Sequence, residues 1–161
     1  MITTTRLRIY PATRETMEAA IAKEADLDLR AAYQEMLDGC LLHPDRWGWY
    51  AMWAIELPDG TPIGDLCFKG LGPDGAAEIG YGILEDYQGH GYATEAVAGA
   101  VAWAFSHQEV TRLEAETDPL NAASQRVLAK CGFQATGVIG EEGPRFALPR
   151  RAFEQTRTIK Q

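Results

Sequence analysis

The sequence predicts an α/β fold, with strands and helices alternating along a single domain, and three observations carry that expectation. Segments with the two-residue period of strands alternate with segments of helical period. Turn-forming residues separate them, and no linker, repeat or low-complexity tract interrupts the order. One strand, Ala77 to Leu84, passes through a glycine-rich loop into a helix whose apolar face is traced by Ala93, Ala96, Val97, Ala100, Val101, Ala104 and Phe105.

Leu7 to Tyr10 is a short first strand, and Arg14 to Lys23 and Leu27 to Leu37 carry helical periodicity, with Gly39 as the stop. Tyr50 to Leu57 and Ile63 to Phe68 form a hairpin around Pro58-Asp59-Gly60-Thr61. A second turn, Gly72-Pro73-Asp74-Gly75, leads into the strand before the glycine loop. Gly80 and Gly82 sit inside that strand and mark either a bulge or a close approach of backbone to a ligand. After the long helix come a strand at Arg112 to Thr117 and a helix capped by Asn121, with Lys130 in its last turn and Gly132 at its stop. Short strands near Phe133 to Val138 and Arg145 to Leu148 complete the order.

The chain has 161 residues, the size of one domain, with 46% hydrophobic and 24% charged residues, as in ordinary globular proteins. No apolar run is long enough to span a bilayer and no charged-then-apolar leader is present, so no membrane partner is expected. Cys40, Cys67 and Cys131 are odd in number and match no zinc spacing, which indicates reduced core thiols in a cytoplasmic protein. A net charge of −8 and a pI near 4.9 argue against nucleic acid as a partner. They do not exclude a phosphorylated ligand, because screening over about 8 Å mutes distant carboxylates while loop amides touch phosphate directly. The acidic balance fits a cationic second substrate, and a solubilising surface explains it equally well.

The loop Gln88-Gly89-His90-Gly91-Tyr92-Ala93 carries the most functional information. A glycine turn opening a helix leaves backbone N–H groups unpaired at the positive end of the helix dipole, where a pyrophosphate fits. A Walker loop is excluded, because no Gly-Lys-Ser or Gly-Lys-Thr occurs. A dinucleotide fingerprint fits poorly, because Thr94 stands where its third glycine belongs. The structural alternative is a turn whose glycines only relieve crowding.

Gln88-x-x-Gly91-x-Ala93 resembles the acyl-CoA pyrophosphate loop of the GNAT superfamily of N-acetyltransferases. Glu78-Ile79-Gly80-Tyr81, Ala93-Thr94-Glu95-Ala96, Asn121-Ala122-Ala123-Ser124 and Lys130-Cys131-Gly132-Phe133 are similar to the branch that includes the ribosomal-protein N-terminal acetyltransferases. The resemblance implies a GNAT-like fold, a twisted mixed sheet flanked by helices, and acetyl-CoA as co-substrate, with no metal. It implies cofactor contacts at Tyr81, Gly82 and Ile83 on a splayed strand, at Gln88, Gly89, His90, Gly91, Tyr92, Ala93 and Thr94 in the loop, and at Asn121 and Ser124 on the following helix. The acceptor would be a primary amine, on a peptide N-terminus or a small molecule, and a homodimer stays open.

A lysine-type amine, with a pKa of about 10.4, needs a base more than an α-amine near 7.7–8.0 does. A thiolate is already a tolerable leaving group, so positioning can supply much of the rate. The candidate bases are Glu116, which precedes Asn121 by five residues as the catalytic glutamate does in a protein N-terminal branch, and Glu78, one residue out of the register of another branch. Glu114 shares a face with Glu116. Many members carry a tyrosine seven residues after the asparagine, but that position is Leu128. Ser124 resembles the serine that replaces it, as donor to the thiolate or as helix cap. His43 and His107 look peripheral, and His90 belongs to the loop near the phosphates. Trp47, Trp49, Tyr50 and Trp53 read as core packing or as an aromatic wall for the amine. A competing reading, strengthened by the missing phenol, is a non-catalytic acyl-CoA-binding sensor.

Overall fold

The computed structural model describes residues 1–159. Its strands are β1 (Ile2–Thr3), β2 (Arg8–Pro11), β3 (Met52–Glu56), β4 (Pro62–Phe68), β5 (Ala76–Ile83), β6 (Arg112–Glu116), β7 (Gln134–Ile139) and β8 (Pro144–Pro149). The helices are α1 (Arg14–Lys23), α2 (Leu27–Leu42), the single turn α3 (Trp47–Tyr50), α4 (Tyr92–Phe105), α5 (Ala122–Lys130) and α6 (Arg150–Ile159). The strands form one mixed sheet in the order β1-β2-β3-β4-β5-β6-β8-β7, antiparallel throughout except for the parallel pair β5 and β6. The parallel pair needs a crossover, and α4 supplies it.

Strand alternation divides the sheet into two working faces. Trp53, Leu66 and Tyr81 lie in one cross-strand row, and Ala77 is registered with Leu113 and Leu148. This face packs against Ala96, Val97, Ala100, Val101 and Ala104 of α4 to build the main core. On the other face Ala54, Asp65 and Gly82 form one row, and Met52, Cys67 and Gly80 the next. Met52 there packs on a smaller cluster of Met17, Leu37 and Cys40 contributed by α1 and α2. None of the described helices is long and apolar enough to cross a membrane.

Several boundaries differ from expectation for local reasons. Helix α2 runs past Gly39 to Leu42, and Pro44 follows its end. Gly39 serves a close approach instead of a stop, because a Cβ there would lie 2.6 Å from the Tyr50 ring. The β4–β5 register runs unbroken from Gly64 opposite Ile83 to Phe68 opposite Ile79, so Gly80 and Gly82 mark no bulge. The short β1 and the C-terminal α6 were not expected. The aromatic residues are packing residues: Trp49 and Trp53 are buried among Phe68, Trp103 and His107, and the Trp53 indole N–H donates to the Gly48 carbonyl at 2.7 Å. His43 stacks on Tyr50. Cys40 and Cys131 are free thiols that burial pushes up to about 11.

Candidate active site

The site begins where the parallel pair separates. Strands β5 and β6 are paired only from Ala76 opposite Arg112 to Glu78 opposite Glu114, although β5 runs on to Ile83 and β6 to Glu116. The Glu78 carbonyl accepts from the Lys69 N–H, so residues 78, 80 and 82 turn their peptide groups toward β4. Tyr81 and Ile83 therefore turn theirs into the gap beside β6. Of the three strand residues expected to bind a cofactor arm, Tyr81 and Ile83 present N–H groups that find no strand partner on the β6 side among the described residues, and Gly82 contributes a bare Cα. The Ile83 carbonyl is taken by the Gln88 side chain, whose Nε2 donates to it at 2.8 Å.

That bond anchors the glycine loop to the end of β5. Gly89 and Gly91 have φ of +81° and +82°, the left-handed region that favours glycine. Gly91 is the N-cap of α4 and no side chain caps the helix, so the N–H groups of Tyr92, Ala93 and Thr94 have no partner among the described residues. A Cβ at Gly89 would meet nothing within 4 Å. Free N–H donors at a helix start are the arrangement that suits an anion.

The loop is also held from behind by a residue that carries no motif. Arg6 donates through Nη1 to the His90 carbonyl at 2.9 Å, pairs through Nε with Glu95 at 2.7 Å, and lies over the Tyr92 ring at 4.5 Å. Glu95 also accepts from the Thr4 hydroxyl and the Arg6 N–H. Burial works to raise the Glu95 carboxyl, but these donors hold it below its ordinary value.

A cavity of about 460 Å³ joins the gap to the loop. Its wall contains Tyr81, Gly82, Ile83, Gln88, Gly89, Gly91, Tyr92, Ala93, Thr94, Asn121 and Ser124, all expected from the sequence. His90 is the exception. Its ring leans on Tyr92, and the loop turns its carbonyl toward Arg6, so the expected place near the phosphates is not on the cavity wall. Arg126 and Lys130 line the wall and were missed, although their four-residue spacing on one helix is a legible signal for a shared basic face. Asn121 caps α5, its Oδ1 accepting from the Ser124 N–H at 3.0 Å. Ser124 is therefore not the cap, and its hydroxyl instead lies 2.8 Å from the Tyr81 phenol oxygen.

The carboxylates expected to act as bases have other partners. Arg145 of β8 donates to Glu116 Oε1 at 2.9 Å and to Glu78 Oε1 at 2.8 Å. The second Glu116 oxygen accepts from the Glu142 N–H at 3.1 Å, and the second Glu78 oxygen pairs with Lys69 at 2.6 Å. Burial works to raise the Glu78 carboxyl, but Lys69 and Arg145 outweigh it and hold the group below its ordinary value. Glu114 lies 3.8 Å from both Arg145 and Arg112. Glu78 and Glu116 are in this way tied to one guanidinium, that of Arg145.

Removing Arg145 should expose that role. The Arg145→Met variant leaves Glu116, with only 9% of its side chain exposed, without its cation, and should lose about 2–3 kcal/mol in urea unfolding with an unchanged slope. The folded-state pKa of Glu78 is depressed, so its contribution is present above the unfolded value and is lost as pH falls through the folded one. The stability gap between the two proteins should accordingly be widest at neutral pH and close below about pH 4.

A carboxylate on the next strand lacks such ties. Asp65 of β4 is registered opposite Gly82 and has no salt-bridge partner among the described residues. Its side chain stays open to solvent, yet the surrounding protein raises it above the ordinary value. Tyr33 of α2 lies close enough that Asp65, after burial and together with Glu24, raises its phenol. The sequence signal was a carboxylate inside an otherwise apolar strand, Ile63-Gly64-Asp65-Leu66-Cys67-Phe68.

Known proteins resemble this chain in sequence and in fold. The Acetyltransferase (GNAT) domain family matches residues 6–134 of the chain. "Uncharacterized N-acetyltransferase YoaA" of Bacillus subtilis (strain 168) is 37% identical over 89 residues, which cover 54% of this chain and 50% of that protein. The chain thus spans about half or less of the length of the curated relatives it matches. Among solved structures, an aminoglycoside acetyltransferase AAC(6')-Ib in complex with coenzyme A superposes with a TM-score of 0.70 at 22% identity, over 94% of this chain and 99% of that one. A mutant spermidine N-acetyltransferase SpeG from Vibrio cholerae gives a TM-score of 0.73 at 15% identity, over 96% of this chain and 99% of that one.

Proposed function

The chain belongs to the GNAT acetyltransferase family, and from that premise we propose that it transfers acetyl from acetyl-CoA to a primary amine by direct attack. The observation that carries this reading is the continuity of the β5–β6 gap with the free donors of the Gly89–Thr94 loop. A single elongated ligand with phosphates at one end and an amide-bearing arm at the other fits both. The N–H groups of Tyr92, Ala93 and Thr94 hold the pyrophosphate, and Arg126 and Lys130 supply positive charge on the same wall. The peptide groups of Tyr81 and Ile83 bind the pantetheine arm in place of the missing strand. Bound there, acetyl-CoA supplies an activated acetyl thioester and a thiolate leaving group.

The acceptor amine approaches from the opposite sheet face, where Gly80 and Gly82 leave the backbone bare. Asp65 stands beside Gly82, free of any cation among the described residues, and takes the proton that the acceptor must lose. Asp65, Glu24 and the net charge of the chain together favour a cationic acceptor. Peptide N-termini and small polyamine- or aminoglycoside-like molecules share that chemistry. Ser124 donates to the departing sulfur.

Arg6 braces the loop without touching the cavity, so Arg6→Ala should weaken acetyl-CoA about 5-fold while the amine KM stays unchanged. The reading as a whole is tested by titrating acetyl-CoA calorimetrically against ATP. Saturable acetyl-CoA binding that ATP does not imitate is expected, and no binding at millimolar acetyl-CoA contradicts it. A second reading, an acyl-CoA-binding sensor, has one observation in its favour: Arg145 holds both Glu78 and Glu116. Binding without turnover on any amine would select it.

A further inference from the structure

Leu128 occupies the position where the family resemblance places a phenol, and it is fully buried in the main core. A phenol reaches the same helix by another route. Tyr81 extends from β5 on the face that packs α4 and α5, and it lines the cavity beside Ser124. Its Oη lies 2.8 Å from Ser124 Oγ and 3.3 Å from the Ser124 carbonyl oxygen. The shorter contact has the ordinary length of an O–H···O bond, and the longer one is beyond it. Tyr81 is also the only partner of the Ser124 hydroxyl among the described residues, because the helix cap is made by Asn121.

We propose that Tyr81 is a positioning residue for departure of the thiolate, its phenol donating to Ser124 Oγ and thereby aiming the serine hydrogen into the cavity at the coenzyme A sulfur. The inference rests on the assignment of the cavity to acetyl-CoA and adds a residue whose side chain has no assigned role. As the amine nitrogen bonds to the acetyl carbon, the carbon–sulfur bond breaks with its electron pair on sulfur. The amine proton passes to Asp65 or water, and Ser124 stabilises the sulfur by donation alone, so no proton leaves Tyr81. Burial raises the Tyr81 phenol above its ordinary value, and the group stays protonated as a donor must.

The orientation also fixes what free coenzyme A should do. A hydroxyl aimed at sulfur favours bound thiolate over bound thiol, so coenzyme A should gain on desulfo-coenzyme A as pH rises toward the thiol pKa of about 8.5. Cys131 lies beside the phenol, and burial pushes its thiol up to about 11. Tyr87, Tyr92, Arg126 and Lys130 face the same cavity and meet both ligands alike.

The experiment is calorimetric titration of wild type, Tyr81→Phe and Ser124→Ala with both ligands between about pH 6.5 and 9. In wild type the affinity ratio of coenzyme A to desulfo-coenzyme A should rise about 5- to 10-fold across that range. Tyr81→Phe should lose most of that rise while binding desulfo-coenzyme A within about 2-fold of wild type, and Ser124→Ala should abolish it. An unchanged rise in Tyr81→Phe overturns the proposal, as does an equal loss for both ligands, which would make Tyr81 merely structural. Failure of wild type to bind either ligand would instead overturn the cofactor assignment beneath it.

Discussion

Gly91→Val should weaken acetyl-CoA binding about 100-fold while leaving the folded protein intact. Gly91 has φ of +82°, and a β-branched residue there pays the left-handed penalty of about 1–2 kcal/mol or more. Its Cβ would also stand 3.3 Å from the Arg6 guanidinium, the group that braces the loop. The loop relieves both by turning, and the N–H groups of Tyr92, Ala93 and Thr94 lose their common aim. Charge-assisted bonds of this kind contribute about 1.5–3 kcal/mol each, so misaligning one or two accounts for the loss. Gly91 is exposed and outside the core, so the melting temperature should fall by only a few degrees. Calorimetric titration beside a thermal melt checks this; an affinity within about threefold of wild type would show that the loop does not hold the phosphates.

Asp65→Asn should lower kcat/KM for the amine about 100-fold and leave acetyl-CoA binding unchanged. The substitution keeps the size of the side chain and removes the charge opposite Gly82. Glu78 and Glu116 are tied to Arg145 and cannot substitute for it, so Glu78→Gln and Glu116→Gln should act mainly through stability. Wild-type activity should fall on the acid side as Asp65 is protonated, in a limb lying above the ordinary aspartate range because desolvation by the neighbouring protein raises the group even though its side chain reaches solvent. The variant should lack that limb. Equal kcat/KM in wild type and Asp65→Asn would return the base to another group or to water.

The parts of this molecule that local chemistry dictates were legible in the sequence. The loop from Gln88 to Thr94 could be read because glycine, helix start and free N–H groups lie within a few residues of one another. Asn121 was readable as a cap for the same reason. What could not be read were choices settled by residues distant in the chain. Glu116 looked like a free strand carboxylate until β8 brought Arg145 beside it, 29 positions away in sequence. Arg6 looked like an ordinary surface residue until β1 and β2 carried it behind His90, 84 positions away. Gly39 read as a helix stop because the Tyr50 ring against it belongs to another element. The Tyr81–Ser124 contact spans 43 positions, and only the packing of β5 on α5 creates it.

The most direct test of acetyl transfer follows free thiol released from acetyl-CoA by the purified protein, with mass analysis of each acceptor. The panel should contain peptides with free N-termini, linear polyamines and aminoglycosides. The account predicts thiol release that depends on an amine, matched by one acetyl group on that amine, and reduced about 100-fold in Gly91→Val at limiting acetyl-CoA. Saturable acetyl-CoA binding with no acetylated product from any amine in the panel would contradict it and leave the protein a sensor.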